Sequence, residues 1–95
     1  MFKKHDADKP RFDLLLPKFL GEMAQVLTLG ARKYGDENWK ACDSPKRYLA
    51  ALYRHLNAYH QGEGVDEESG VSHLAHVAVN AMFLGYFSAL GRSDS

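Results

Sequence analysis

The apolar positions along this chain fall into three helical stretches separated by polar turns. Phe19, Leu20, Met23, Val26, Leu27, Gly30 and Tyr34 recur at i, i+3, i+4, i+7 spacing. That pattern predicts an amphipathic helix that opens at Pro17, where the missing N–H is not needed, and closes near Gly35. A second stripe, Tyr48, Leu49, Leu52, Leu56 and Tyr59, follows Asp43-Ser44-Pro45, a capping residue with proline at the first helical position. It stops at Gly62-Glu63-Gly64. An acidic linker, Val65-Asp66-Glu67-Glu68, leads through Ser69-Gly70 to a third helix over residues 71 to 90, ending at Gly91. Residues 1 to 13 read as an irregular polar arm and 92 to 95 as a tail. Nothing alternates with period two, so no sheet is expected. The expected fold is all-α: a small bundle of three main helices plus an N-terminal arm, in one domain over residues 1–95.

The third helix is apolar on every side. Leu74, Val77, Ala81 and Leu84 fall on one side, and Ala75, Val79, Met82 and Tyr86 on the other. Such a helix must be covered all round, and two neighbouring helices cover roughly half of it. The rest calls for another subunit in a homo-oligomer, or for the arm, with Phe2, Phe12 and Leu14 to Leu16, folding back as a wall.

Composition narrows the class. Twelve basic and twelve acidic side chains cancel, which removes the long-range field that non-specific nucleic-acid binders use. The longest apolar run is broken by His, Asn and Gly, so no membrane partner is expected, and the opening Met-Phe-Lys-Lys-His-Asp is unlike a signal peptide. One cysteine, Cys42, cannot form an internal disulfide. Together these point to a cytoplasmic protein.

The candidate chemistry lies in the polar residues of the apolar helices. His73, His76 and Asn80 share one stripe of the third helix, and His55 lies inside the second stripe. Buried polar groups need hydrogen-bond partners, a metal or a ligand. His73 and His76, one turn apart, can share an ion, with carboxylates available from Glu22, Asp66, Glu67 and Glu68. Hard ions prefer the oxygens and transition ions the imidazoles. The same histidines could equally be core residues satisfied by a tyrosine and a glutamate. Lys9, Arg11, Arg32, Lys33, Arg47 and Arg54 could clamp phosphates or form a solvated rim. Trp39 could stack on a nucleobase with Asn38 or Asn80 reading its edge, or could be a lid over the helix ends.

Two sets of segments resemble a known family. Asp8-Lys9-Pro10-Arg11-Phe12-Asp13-Leu14-Leu15 and Gly30-Ala31-Arg32-Lys33-Tyr34-Gly35-Asp36 with Asn38-Trp39 form the first. Arg47-Tyr48-Leu49, Arg54-His55, Gly62-Glu63, Asp66, Glu68-Ser69-Gly70 and His73-Leu74-Ala75-His76 form the second. Over nearly the whole chain these are similar to the phage and prophage dATP/dGTP diphosphohydrolase N-terminal family. The resemblance implies a protein that handles purine deoxynucleotides, cleaving a dNTP to its monophosphate and diphosphate with a divalent metal, Mg²⁺ or Mn²⁺. The all-α pyrophosphohydrolases of the MazG type look similar in outline and hold magnesium on Glu-x-x-Glu and Glu-x-x-Asp motifs. The corresponding places here read Glu22-Met23-Ala24-Gln25 and His73-Leu74-Ala75-His76, so only Glu22 keeps its carboxylate.

The resulting expectation is a helical oligomer that binds a purine nucleotide between helices. Glu22, His73 and His76 would hold the ion, and Glu22, Glu68 or Asp66 would act on the attacking water. Lys9, Arg11, Arg32, Lys33, Arg54, His55, Asn38, Trp39 and Asn80 would contact the nucleotide. A module that sequesters its nucleotide without chemistry, and a structural helical adaptor, are the alternatives.

Overall fold

The computed structural model describes residues 7–92 and is all-α. A 3₁₀ turn at Phe12–Leu14 precedes α1 (Pro17–Tyr34), a second 3₁₀ turn at Asn38–Ala41 precedes α2 (Lys46–His60), and α3 (His73–Ala89) closes the order. Pro17 occupies the first turn of α1, and the helix stops where the Gly35 N–H reaches the Ala31 carbonyl at 2.8 Å. Gly35 has φ +96°, which suits a residue without a Cβ. Pro45 already has helical dihedrals, and the Ser44 and Pro45 carbonyls accept from Arg47 and Tyr48 at 3.0 and 2.9 Å. The proline therefore stands one place before the helix proper instead of at its first position. Ser72 caps α3, its hydroxyl accepting from the Leu74 N–H at 3.1 Å.

The segment expected to be a plain acidic linker is a folded turn. Val65 and Ser72 form an isolated antiparallel bridge, the Asp66 N–H donates to the Val71 carbonyl at 2.9 Å, and the Gly70 N–H donates to the Asp66 carbonyl at 2.7 Å. Gly70 sits at φ +72°, the left-handed conformation this closure needs. The His73 N–H donates to the Gly64 carbonyl at 3.0 Å, which seats the start of α3 on the turn.

α3 is the centre of the molecule, packed on α2 and, less extensively, on α1. Ala75, Val79 and Phe87 from α3 join Val71 in the apolar core, and Val79 and Phe87 are sealed at 1% and 0% exposure. Val79 thus belongs to the interior and not to an open outer face. The open face carries Leu74 and Met82, at 43% and 40% exposure. The arm does not cover it among the described residues: Phe12, Leu14, Leu15 and Leu16 are all exposed, while Phe2 lies outside them. α1 contains no buried residue. The described chain measures 53 × 34 × 27 Å with a radius of gyration of 16.2 Å, against about 12 Å for a compact domain of this length. Among the described residues no helix is long and apolar enough to cross a membrane.

Candidate functional site: a cleft with an imidazole–carboxylate cluster

A cleft of 990 Å³ runs between the second half of α1 and the side of α3 that carries His76, Val79, Asn80 and Phe83. Its size is at the upper end of small-molecule sites, about 300–1,000 Å³. Its polar lining includes Lys33, Asn38, His55, Asp66, His76 and Asn80.

Three segments that are separate in sequence converge on the histidines. His55 comes from the apolar stripe of α2, Asp66 from the turn, and His73 and His76 from the first two turns of α3. His55 Nδ1 and His73 Nδ1 lie 2.9 Å apart and share a proton, whose position depends on the tautomer. The Nε2 of His73 meets a Glu63 carboxylate oxygen at 3.2 Å. The His76 ring lies parallel to His55, centroids 4.3 Å apart and planes 7° from each other. Its Nε2 is 2.7 Å from the Ser69 hydroxyl and 3.7 Å from Asp66 Oδ2. Asp66 is fixed in turn, its Oδ2 accepting from the Ser69 N–H at 2.9 Å.

Electrostatics follow from that crowding. Burial first, then the neighbouring His76, His73 and Arg54 charges, push the His55 pKa below the usual histidine value against the pull of Asp66. His76 is lowered too, by burial and by His73, with Asp66 and Glu68 opposing. Burial alone would raise Asp66, but hydrogen bonds from the Ser69 side chain and backbone, with His76 and His55 nearby, bring it below the ordinary carboxylate range. At neutral pH the site therefore presents neutral His55 and His76 rings beside an ionised carboxylate.

One ligand atom from each of His55, Asp66 and His73 lies within 4.8 Å of the others. This set differs from the Glu22, His73 and His76 expected from sequence. Glu22 is on α1 one turn before the cleft-lining residues and takes no part in the cluster, and His76 turns its Nε2 to Ser69. Glu68 lines the cleft and pairs with Lys33 at 3.0 Å, tying the end of α1 to the turn. Arg11 is engaged locally with Asp13 at 2.7 Å, and Lys9, Arg32 and Arg54 are exposed and do not line the cleft. Asn38, Trp39 and Asn80 do line it. The Asn80 amide donates to the His76 carbonyl at 2.8 Å, inside its own helix. Trp39 stacks on Phe83 with centroids 4.4 Å apart and meets Tyr86 and Phe87 edge-on at 4.9 and 6.2 Å. Its carbonyl accepts from the Tyr48 hydroxyl at 2.9 Å. Burial pushes that phenol up to about 12, with Cys42 adding to the shift. The tryptophan is therefore a structural cover over the α2–α3 aromatic cluster that also borders the cleft.

Sequence reasoning did not single out Glu63 and Ser69 for the site. A glutamate between two glycines and a serine before a third read as turn punctuation. Only the fold of the turn reveals that each meets a histidine.

The model of the family described as dATP/dGTP diphosphohydrolase, N-terminal, matches residues 2–94. The chain belongs to this family. Within it, the dATP/dGTP diphosphohydrolase of Salmonella phage PMBT28 is 37% identical over 81 residues, which cover 85% of this chain and 28% of that protein. The chain thus spans less than a third of the length of that curated relative. No solved structure matches the chain.

Proposed function

We propose that this member of the family seats a purine deoxynucleoside triphosphate in the α1–α3 cleft and acts on it as a diphosphohydrolase. The reading is carried by one observation: a single cleft combines a lysine for phosphate, amide groups for a base edge, and an ionised carboxylate beside two imidazoles, His55 and His76. The name of the family and of the phage relative supplies the substrate class. Lys33 is the basic residue of the expected set that lines the cleft, and it would neutralise phosphate charge once released from Glu68. Of the two acids that line the cleft, Asp66, held by Ser69, and Glu68, one would accept a proton from the attacking water. A divalent ion, when bound, would supply Lewis-acid polarisation of a phosphoryl oxygen. Asn38 and Asn80 would read the base.

A sequestering module is the second reading. It is favoured by the imidazoles of His73 and His76 standing where pyrophosphohydrolases of similar outline carry hard carboxylate ligands. Calorimetric titration with dATP, dGTP and dCTP, followed by product chromatography with Mg²⁺ or Mn²⁺, tests both. The expected result is purine-selective binding and release of dNMP with diphosphate; intact nucleotide recovered at one per chain gives the sequestering reading. Lys33→Ala should weaken binding by about 1–3 kcal/mol, and Arg32→Ala and Arg54→Ala by less. Folded protein that binds no purine nucleotide overturns the proposal.

A further inference from the structure

We propose that His55, Asp66 and His73 form the binding site of a single transition-metal ion of the Zn²⁺ or Mn²⁺ kind, with Glu63 holding the His73 ring from the side away from the ion. The inference rests on the donor atoms alone and holds whichever nucleotide the cleft takes.

The donor geometry is close to what an ion needs. Nitrogen ligands bind such ions at about 2.0–2.1 Å, so two of them are about 3.3 Å apart at the tetrahedral angle zinc prefers and about 2.9 Å apart at a right angle. His55 Nδ1 and His73 Nδ1 stand 2.9 Å apart. They share a proton in the absence of an ion. Binding requires that the His55 proton move from Nδ1 to Nε2 and that the two rings turn slightly, so that both Nδ1 lone pairs converge on the ion beside the line that now joins them. The carboxylate of Asp66 completes the set, with its candidate ligand atom within 4.8 Å of the imidazole donors.

The surroundings orient these donors as they do around bound metals. A ligating histidine nearly always donates its other ring N–H to a carboxylate or carbonyl. His73 Nε2 has such a partner in Glu63 at 3.2 Å. That bond keeps the proton on Nε2 and leaves Nδ1 as the lone-pair end. Asp66 is held through Oδ2 by the Ser69 N–H at 2.9 Å, which fixes the carboxylate plane and leaves Oδ1 as a second acceptor. His73 itself is buried, and burying an imidazole pair beside a carboxylate is costly unless its members are mutually satisfied or bound to an ion. Two imidazole nitrogens with one carboxylate oxygen favour a transition ion over Mg²⁺, which prefers an all-oxygen shell. Three protein ligands also leave coordination positions for water or an oxyanion. Because His55 and Asp66 line the cleft, an ion here stands at its wall.

The test uses the full 95-residue chain without a histidine tag, stripped with a chelator and titrated calorimetrically with Zn²⁺, Mn²⁺ and Mg²⁺. The expected result is one ion per chain, Zn²⁺ binding more tightly than Mn²⁺ and Mg²⁺ most weakly. Glu63→Gln should lower affinity about 10–100-fold, and His55→Ala and His73→Ala by at least as much. His60→Ala, on the exposed last turn of α2, should change nothing. Circular dichroism reports whether each variant folds. Where one does not, ¹⁵N spectra of the wild-type imidazoles decide, since Zn²⁺ should move Nδ1 of His55 and His73 and not that of His60. Folded wild-type protein that binds no ion overturns the site, as does binding that survives His55→Ala and His73→Ala. Ion binding without nucleotide binding would sink the proposed function and support this site; nucleotide binding without an ion would do the reverse.

Discussion

Removing the Trp39 ring should separate its two possible uses, as a cover for the helices or as a platform for a base. Trp39→Ala deletes a stack on Phe83 and edge contacts to Tyr86 and Phe87. Aromatic pairs are worth about 0.5–1.5 kcal/mol each beyond burial, and a fully buried aromatic truncated to alanine costs about 3–5 kcal/mol. Trp39 keeps part of its surface in water, so the loss should be about 2–4 kcal/mol. Against a total of about 5–14 kcal/mol for a chain of this length, that is a large fraction. Trp39→Phe keeps a ring on Phe83 and should cost about half as much. Urea unfolding followed by far-ultraviolet circular dichroism is the assay, because this is the single tryptophan and its fluorescence is lost with it. Purine-nucleotide affinity per folded molecule should stay within about threefold, under 0.7 kcal/mol. A stability loss under about 0.5 kcal/mol with a large loss of affinity would refute the cover and return the ring to base stacking.

Stability should also depend on pH in a defined window. His55 and His76 are lowered in the folded protein, so the unfolded chain binds more protons below the ordinary histidine value. The melting temperature should be level above about pH 6.5 and fall as pH drops below it, with a further fall as Asp66, also lowered, protonates well into the acid range. A melting temperature that rises between neutral pH and pH 5 would contradict this. For the apolar surface left open, we expect self-association: sedimentation should give a mass above 10.7 kDa, and Met82→Lys should dissociate the assembly while leaving helicity unchanged. Val79→Glu should unfold the chain, since that side chain is sealed in the core. A monomer at every concentration would remove the assembly.

The helices were legible because their apolar stripes and boundaries are local signals. Pro17 and Gly35 bracket α1 much as their conformational preferences require. The central place of α3 also followed, from apolar residues on all its sides. What the stripes could not give was which side faces which neighbour: Val79 and Met82 are one turn apart, yet one is sealed and the other open. The site shows the same limit. His55, Asp66 and His73 were each visible as candidates, but their convergence depends on a turn whose bridge and hydrogen bonds involve Val65, Gly70 and Ser72, and no periodicity reports such closure. Glu22 shared a helix face with apolar residues and so looked available, but the cleft begins one turn later.

The absence of any buried residue in α1 has a consequence for the molecule's local unfolding. A helix held by few sealed contacts opens at a free-energy cost well below that of global unfolding, so its amides should exchange hydrogen for deuterium sooner than those of α3. α1 is also one wall of the cleft. Any ligand that needs both walls therefore binds only the closed form, and it slows exchange in α1 by the factor 1 + [L]/Kd. The cleft's occupancy is thus written in the protection of one helix, and can be read there even when nothing else in the fold responds.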